Sequence, residues 1–192
     1  DLIICKTLKS LKRFKVYLVE NSNNKKFKKK IESKFKNVTC FLSGTNIGYG
    51  SAINLALKRT NAKYYLILNP DCIVSEKTIL ELRSNLENEN DIDVVAPITI
   101  NKKNRVNERY GYFISSKIKK KFIENIKFKQ VDFVIGCIFL IKSKIFKKIG
   151  LFDENFFMNY EEIDFFKRLR NSNYNIFINK KNKAKHLEGM SS

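Results

Sequence analysis

The sequence predicts an α/β fold, a three-layer arrangement around a mostly parallel central sheet, on three observations. Short β-branched and aromatic runs alternate with amphipathic helical stretches along the whole chain, the pattern of strands joined by crossover helices. Several runs stop abruptly at polar or acidic turns, the sites where open α/β sheets bind ligands. The 192 residues, 43% hydrophobic and 30% charged, suit one ordinary globular domain. A domain of this size buries roughly 70% of the surface its unfolded chain exposes. With 7 Gly and 2 Pro the chain is neither collagen-like nor a low-complexity linker. No apolar run approaches the ~20 residues needed to span a bilayer.

The elements follow in order. Residues 2–11 have helical apolar spacing, and 15–19 (KVYLV) form a buried strand. A polar turn at 21–24 leads into a basic amphipathic helix at 25–35 and a second strand at 38–42. A glycine-bearing loop at 43–50 precedes a helix at 51–59 that starts from Ser51. Residues 64–68 (YYLIL) form a strand ended by Asn69-Pro70-Asp71, since proline cannot donate to a ladder. Ser75 caps a helix at 75–86. A strand at 93–96 is closed by Pro97, and 101–129 reads as a long irregular, mobile excursion. Residues 131–141 (VDFVIGCIFLI) read as one long apolar strand, and 142–149 as a short helix ended by Gly150. A helix at 161–171 carries acid at its start and base at its end, in agreement with the helix dipole, and a last strand occupies 174–178.

Charge and cysteines narrow the function classes. Lys and Arg number 38 against 19 Asp and Glu, a net +19 that suits an anionic partner, although the Lys-, Asn-, Ile- and Phe-rich composition also fits AT-rich coding. The lysines spread along most of the chain and no nucleic-acid-binding motif appears, so nucleic acid is not the expected partner. Cys5, Cys40, Cys72 and Cys137 lie far apart in apolar contexts, and His186 is the single histidine. That spacing argues against a Cys/His zinc site and for buried free thiols in a reducing compartment.

Three clusters sit where strands end or helices begin. Asp71 closes Asn69-Pro70-Asp71; a carboxylate there can hold a divalent cation shared with substrate phosphates, or simply bond its own turn. Glu161, Glu162 and Asp164 crowd three carboxylates into one helical turn, which raises at least one pKa and suits a general base, or serves the helix dipole. Asn46-Ile47-Gly48-Tyr49-Gly50, with Asn54 one turn on, allows close backbone approach to a ligand but matches neither dinucleotide nor P-loop patterns.

The order of these pieces is more specific than any one of them. The chain resembles the family 2 glycosyltransferases with a GT-A fold, in their rhamnosyltransferase-like branch. The resemblance rests on Val19-Glu20-Asn21-Ser22, on 46–50 with Asn54, on Leu68-Asn69-Pro70-Asp71 and on Gly136. It continues through Gly150-Leu151-Phe152-Asp153-Glu154-Asn155-Phe156-Phe157 and Tyr160-Glu161-Glu162-Ile163-Asp164 to His186. It implies an inverting enzyme that moves a sugar from a nucleotide-sugar, such as dTDP-rhamnose, to a hydroxyl of a glycan or lipid-linked acceptor in cell-surface polysaccharide synthesis.

Each site residue then has an implied role. Glu20 and Asn21, with Asn46, Gly48, Tyr49, Asn54 and Asn69, belong to the nucleotide-sugar site; Glu20 stands where the family usually has Asp. Asp71 matches the last acid of the metal-binding D-x-D element, with Asn69 in place of the first, and His186 completes the Mg²⁺ or Mn²⁺ shell. Glu162 matches the catalytic base, with Glu161 or Asp164 sharing the role. The family normally begins with a further strand and continues through further helices, so residues 1–192 are expected to be one catalytic domain truncated at both ends. An inactive sugar-nucleotide-binding homologue is the alternative. The expected location is the cytoplasm, at the inner face of the plasma membrane, where basic helices would rest on anionic lipid.

Overall fold

The computed structural model describes residues 2–113 and 123–187. Helix α1 (Leu2–Ser10) leads to strand β1 (Val16–Glu20), helix α2 (Lys25–Lys34) and strand β2 (Val38–Leu42). Asn24 caps α2 by accepting from Phe27 N at 2.9 Å. β1 and β2 pair in parallel from Val16–Val38 to Glu20–Leu42. Leu8, Ile31, Phe35 and Val38 form the core between this pair and its two helices.

Helix α3 (Tyr49–Lys58), strand β3 (Tyr64–Leu68), strand β4 (Cys72–Val74), helix α4 (Glu76–Asn88) and strand β5 (Val94–Ile100) follow. Then come β6 (Val106–Asn107), β7 (Tyr110–Gly111), β8 (Phe128–Val131), β9 (Phe133–Val134), β10 (Ile138–Lys142), α5 (Lys144–Ile149), α6 (Glu161–Asn171) and β11 (Ile176–His186). The main sheet has the order β3-β10-β5-β11-β4, with β6 on β5 and β8 on β11. β5 and β11 pair in parallel, while β10 lies antiparallel to both β3 and β5, and β4 antiparallel to β11. The α/β class therefore holds, with a sheet more mixed than the alternation of strands and helices predicts.

Alternation along the strands creates the three layers. Val94, Ala96, Phe139, Ile141, Ile176 and Ile178 point to one face, against Phe146 of α5 and Phe165, Phe166 and Leu169 of α6. Val95, Leu140 and Phe177 point to the other, against Leu82 and Leu86 of α4. The period of two in strand side chains is what sends neighbours to opposite faces. Phe165 is fully buried and stacks on Phe152 (4.5 Å between centroids) and Phe146 (5.4 Å).

Several expectations need correction. β5 does not stop at Pro97. On one side its ladder with β10 ends at Val95 and that with β6 begins at Thr99, so the missing N–H falls in a gap. The run 131–141 is not one strand: it breaks at Asp132 and again at a turn around Gly136, into the end of β8, β9 and β10. Strands β6, β7 and β8 occupy parts of the 101–129 segment expected to be irregular and mobile, and its residues 114–122 lie outside the described residues. The last strand runs on from 178 to His186. Helix α3 begins at Tyr49 rather than Ser51, because Gly48, at φ +82°, makes the turn into it.

Candidate active site

One corner of the site is built by the Asn69-Pro70-Asp71 turn between β3 and β4. Asn69 N donates to Cys137 O (2.9 Å), and Thr7 Oγ1 of α1 donates to Pro70 O (2.7 Å). β11 lies antiparallel on β4 with His186 opposite Cys72, and Leu187 N donates to Asp71 O (3.0 Å). This register brings His186 Nε2 to 3.2 Å from Asp71 Oδ1. Asp71 is 1% exposed and His186 6%.

The approach of these two groups lacks hydrogen-bond geometry. Both Asp71 oxygens, both His186 ring nitrogens and Asn69 Oδ1 are buried without a hydrogen-bond partner. Each such orphan costs about 1–3 kcal/mol, and a cluster of them in one corner calls for a missing partner. Oxygen atoms with one imidazole nitrogen suit Mg²⁺ or Mn²⁺. Among the described residues no three His, Cys, Asp or Glu side chains form a ready cage. Asp71 and His186 therefore fit a divalent cation as a partial shell, which substrate oxygens would complete.

Residues 135–137, the turn between β9 and β10, tie the parts together. Ile135 N donates to Arg109 O (2.8 Å), Tyr49 Oη donates to Gly136 O, and Cys137 O receives Asn69 N. A Cβ on Gly136 would stand 3.2 Å from Tyr49 Oη, a tight approach that would push on the phenol by a few tenths of an ångström. Tyr49 is held well above the usual phenol range, first by burial and then by Glu162, with Cys137, Glu161 and Cys72 adding to it. It remains a donor, and it is the common neighbour of the α6 acids and the Asp71 corner.

The 43–50 loop is organised by side chains expected to meet the donor. Asn21 Nδ2 donates to Asn46 Oδ1 (2.8 Å), Asn21 Oδ1 accepts from Ile47 N (3.0 Å), and Asn46 Oδ1 accepts from Gly48 N (3.1 Å). Glu20, at the end of β1, accepts from Ser22 Oγ (2.6 Å). Gly48 is required twice over: its φ is +82°, and a Cβ would meet Phe157 O at 2.1 Å.

Asn54 departs from the nucleotide-binding role expected of it. It is buried, donates to Phe152 O (2.8 Å) and Glu154 Oε1 (3.0 Å), and accepts from Phe152 N (3.0 Å). Its amide is spent holding the loop that leads to α6.

Asn159 and Tyr160 enter α6 with left-handed backbones (φ 68° and 71°). Such residues cost roughly 1–2 kcal/mol each, and strain of this kind gathers at functional sites. The entry aims the three acids differently. Glu161 is 3% exposed beside Gly50, and burial pushes its carboxyl up, with Glu162 adding to the rise. Glu162 is half-buried, with Oε2 unpartnered, and its charge bears on Tyr49. Asp164, expected to share the base role, instead pairs with Arg168 Nε at 2.8 Å. Arg168 also donates to Ile149 O and Leu151 O, so Asp164 anchors a structural clasp.

Two residues were not anticipated. Arg109 and Cys137 line a cavity of about 140 Å³ beside the site, with Pro97, Tyr110, Lys129 and Lys180 on its other walls. Burial pushes the Cys137 thiol up to about 11 and raises Cys72 as well; the Arg109 charge opposes both shifts. No sequence signal marks Arg109, which lies in a short polar stretch without periodicity.

Residues 3–150 match the family model "Glycosyl transferase family 2". A Haloferax volcanii protein, "Low-salt glycan biosynthesis hexosyltransferase Agl10", is 31% identical over 144 residues, covering 70% of this chain and 47% of that protein. A Rickettsia prowazekii protein, "Uncharacterized glycosyltransferase RP339", is 28% identical over 72% of this chain and 44% of its own length. The chain thus spans about half the length of the curated relatives it matches.

Among solved structures, GalNAc-T7 with UDP, GalNAc and Mn²⁺ superposes with a TM-score of 0.76 at 14% identity, over 97% of this chain and 42% of that one. S. aureus TarS 1-349 with UDP-GlcNAc superposes with a TM-score of 0.72 at 17% identity, over 100% of this chain and 57% of that one. Both likenesses are of fold, the GT-A fold. The family match over residues 3–150, well over half of the chain, gives the assignment: this chain belongs to glycosyl transferase family 2.

Proposed function

We propose that residues 1–192 are a catalytic domain that moves a sugar, with inversion, from a nucleotide-sugar to a hydroxyl of a glycan or lipid-linked acceptor. One observation carries the reading: Asn69, Asp71 and His186 gather unpartnered buried groups in one corner, and the 136–137 turn links that corner to Tyr49, on which the Glu162 charge bears. The nucleotide and sugar ligands named for GalNAc-T7 and TarS support a nucleotide-sugar donor.

The roles follow from chemistry. Asp71 and His186 would hold Mg²⁺ or Mn²⁺ with Asn69 alongside. The cation, when bound, supplies Lewis-acid neutralisation of the diphosphate, worth several kcal/mol. Glu162 accepts the proton of the attacking hydroxyl, a contribution of about 10²–10⁴-fold. Glu161, more buried and with a raised pKa, supports the turn rather than the chemistry. Asn21 and Asn46 hold the loop under the nucleotide, and Glu20 stands at its edge.

Turnover of a nucleotide-sugar panel that includes dTDP-rhamnose and UDP-GlcNAc, with Mn²⁺, tests the reading. Glu162→Gln is expected to lower turnover by about 10²–10⁴-fold with donor binding retained. Asp71→Ala is expected to abolish the Mn²⁺-dependent rise in melting temperature on nucleotide binding. Undiminished turnover in both variants overturns the assignment. Nucleotide binding by the unmodified protein without any turnover would make it the inactive homologue.

A further inference from the structure

The proposed site is short of positive charge. Asp71, Glu161 and Glu162 bring carboxylates to it, and the donor brings a diphosphate that gains a full negative charge as its bond to the sugar breaks. We propose that Arg109 binds that diphosphate and takes up its developing charge. The proposal rests on the glycosyltransferase reading above and adds a substrate-binding residue to it.

Placement is the first argument. Arg109 is half-buried, and its carbonyl is fixed by Ile135 N at 2.8 Å. It therefore stands one turn, 135–137, away from the Asn69 backbone that Cys137 O holds and from the Tyr49 hydroxyl on Gly136 O. Arg109 and Cys137 share the walls of the 140 Å³ cavity. The Arg109 charge is felt at both Cys72 and Cys137, the thiols that also feel Asp71.

Chemistry is the second argument. A guanidinium presents a planar fork matched to two phosphate oxygens and remains charged at any working pH. In the transfer, the acceptor oxygen bonds to the anomeric carbon. The carbon–phosphate-oxygen bond breaks with its electron pair left on the phosphate, and the hydroxyl proton passes to Glu162. Arg109 meets the oxygen that keeps the pair, where a fixed donor lowers the barrier most.

Calorimetric binding of UDP, GDP and dTDP with Mn²⁺, each beside its monophosphate, tests the role in the unmodified protein, Arg109→Gln and Arg109→Lys. Arg109→Gln is expected to weaken binding of the preferred diphosphate by about 10–100-fold and spare the monophosphate, the size of a lost charged hydrogen bond. Arg109→Lys should fall between, since it keeps the charge and loses the fork. Unchanged diphosphate affinity in Arg109→Gln overturns the proposal, as does an equal loss for mono- and diphosphate, which marks a structural role. If Arg109→Gln binds normally while Asp71→Asn loses Mn²⁺-dependent binding, only the Arg109 role fails. If the unmodified protein binds no nucleoside diphosphate, the functional reading fails with it.

Discussion

Glu161 is a carboxylate that the fold makes uncomfortable. It is 3% exposed, one oxygen has no partner, and burial raises its pKa above the ordinary glutamate value. A raised acid pKa means the fold favours the protonated form. The stability it contributes is complete below the unfolded-state pKa, near 4.3, and is lost as pH rises through the raised folded value. Glu161→Gln is therefore expected to be more stable than the unmodified protein in urea unfolding at neutral and alkaline pH, with the gap shrinking as pH falls through the raised folded value and closed below about 4. A constant gap across that range would show that its charge is not what costs the fold. Residue types at the site were readable because few positions combine an acid with a strand end or helix start. Their division of labour was not. The i,i+4 spacing within α6 already pairs Asp164 with Arg168, but Glu161 and Glu162 look alike in sequence, and it is the approach of α3 that leaves one buried beside Gly50 and sets the charge of the other on Tyr49.

At the level of elements, the entry to α6 depends on α3. Asn54 makes both backbone hydrogen bonds to Phe152, and Gly48 admits Phe157 O against its Cα. Asn54→Ala leaves a buried N–H and a buried C=O unpaired, at about 1–3 kcal/mol each. The expected result is a lower urea midpoint and a fall in turnover larger than the fall in nucleotide affinity, because the displaced loop leads into α6, which carries Glu162. A variant that keeps unmodified stability would show that the 152–154 turn holds itself. The same scale separates what the sequence disclosed from what it hid. Helices with capping residues, such as Ser75 accepting from Thr78 N at 3.1 Å, were legible. The run at 131–141 did carry its breaks, in Asp132 and Gly136, but the apolar residues on both sides masked them. β4 is too short for a periodic signal. The late half of β11 did carry one: lysines 181, 183 and 185 alternate with the buried Asn182, Ala184 and His186. Its polar inward residues disguised it, although Asn85 and Glu81 of α4 meet Asn179 and Asn182 there.

For the molecule as a whole, part of the +19 charge gathers on one helix. Helix α2 sets Phe27 and Ile31 against α1 and β2, leaving Lys25, Lys26, Lys29, Lys30 and Lys34 exposed. β1 ends at Glu20 and α2 begins at Lys25, so the first turn of the basic helix shares an edge with the Asn21–Asn46 loop of the site. Among the described residues no helix is long and apolar enough to cross a membrane. These lysines could meet an anionic surface that carries a lipid-linked acceptor, at about 1 kcal/mol for each Lys or Arg close to it. Sedimentation with vesicles is expected to retain the protein on phosphatidylglycerol-containing bilayers and not on pure phosphatidylcholine. Retention should weaken as salt shortens the screening length from about 30 Å at 0.01 M to about 3 Å at 1 M. Glutamine at Lys25, Lys26 and Lys29 together should reduce it, while leaving turnover of a soluble acceptor intact, because none of these side chains borders Asp71 or Glu162. Equal sedimentation with neutral and anionic vesicles would remove the membrane role and leave the charge as a matter of composition.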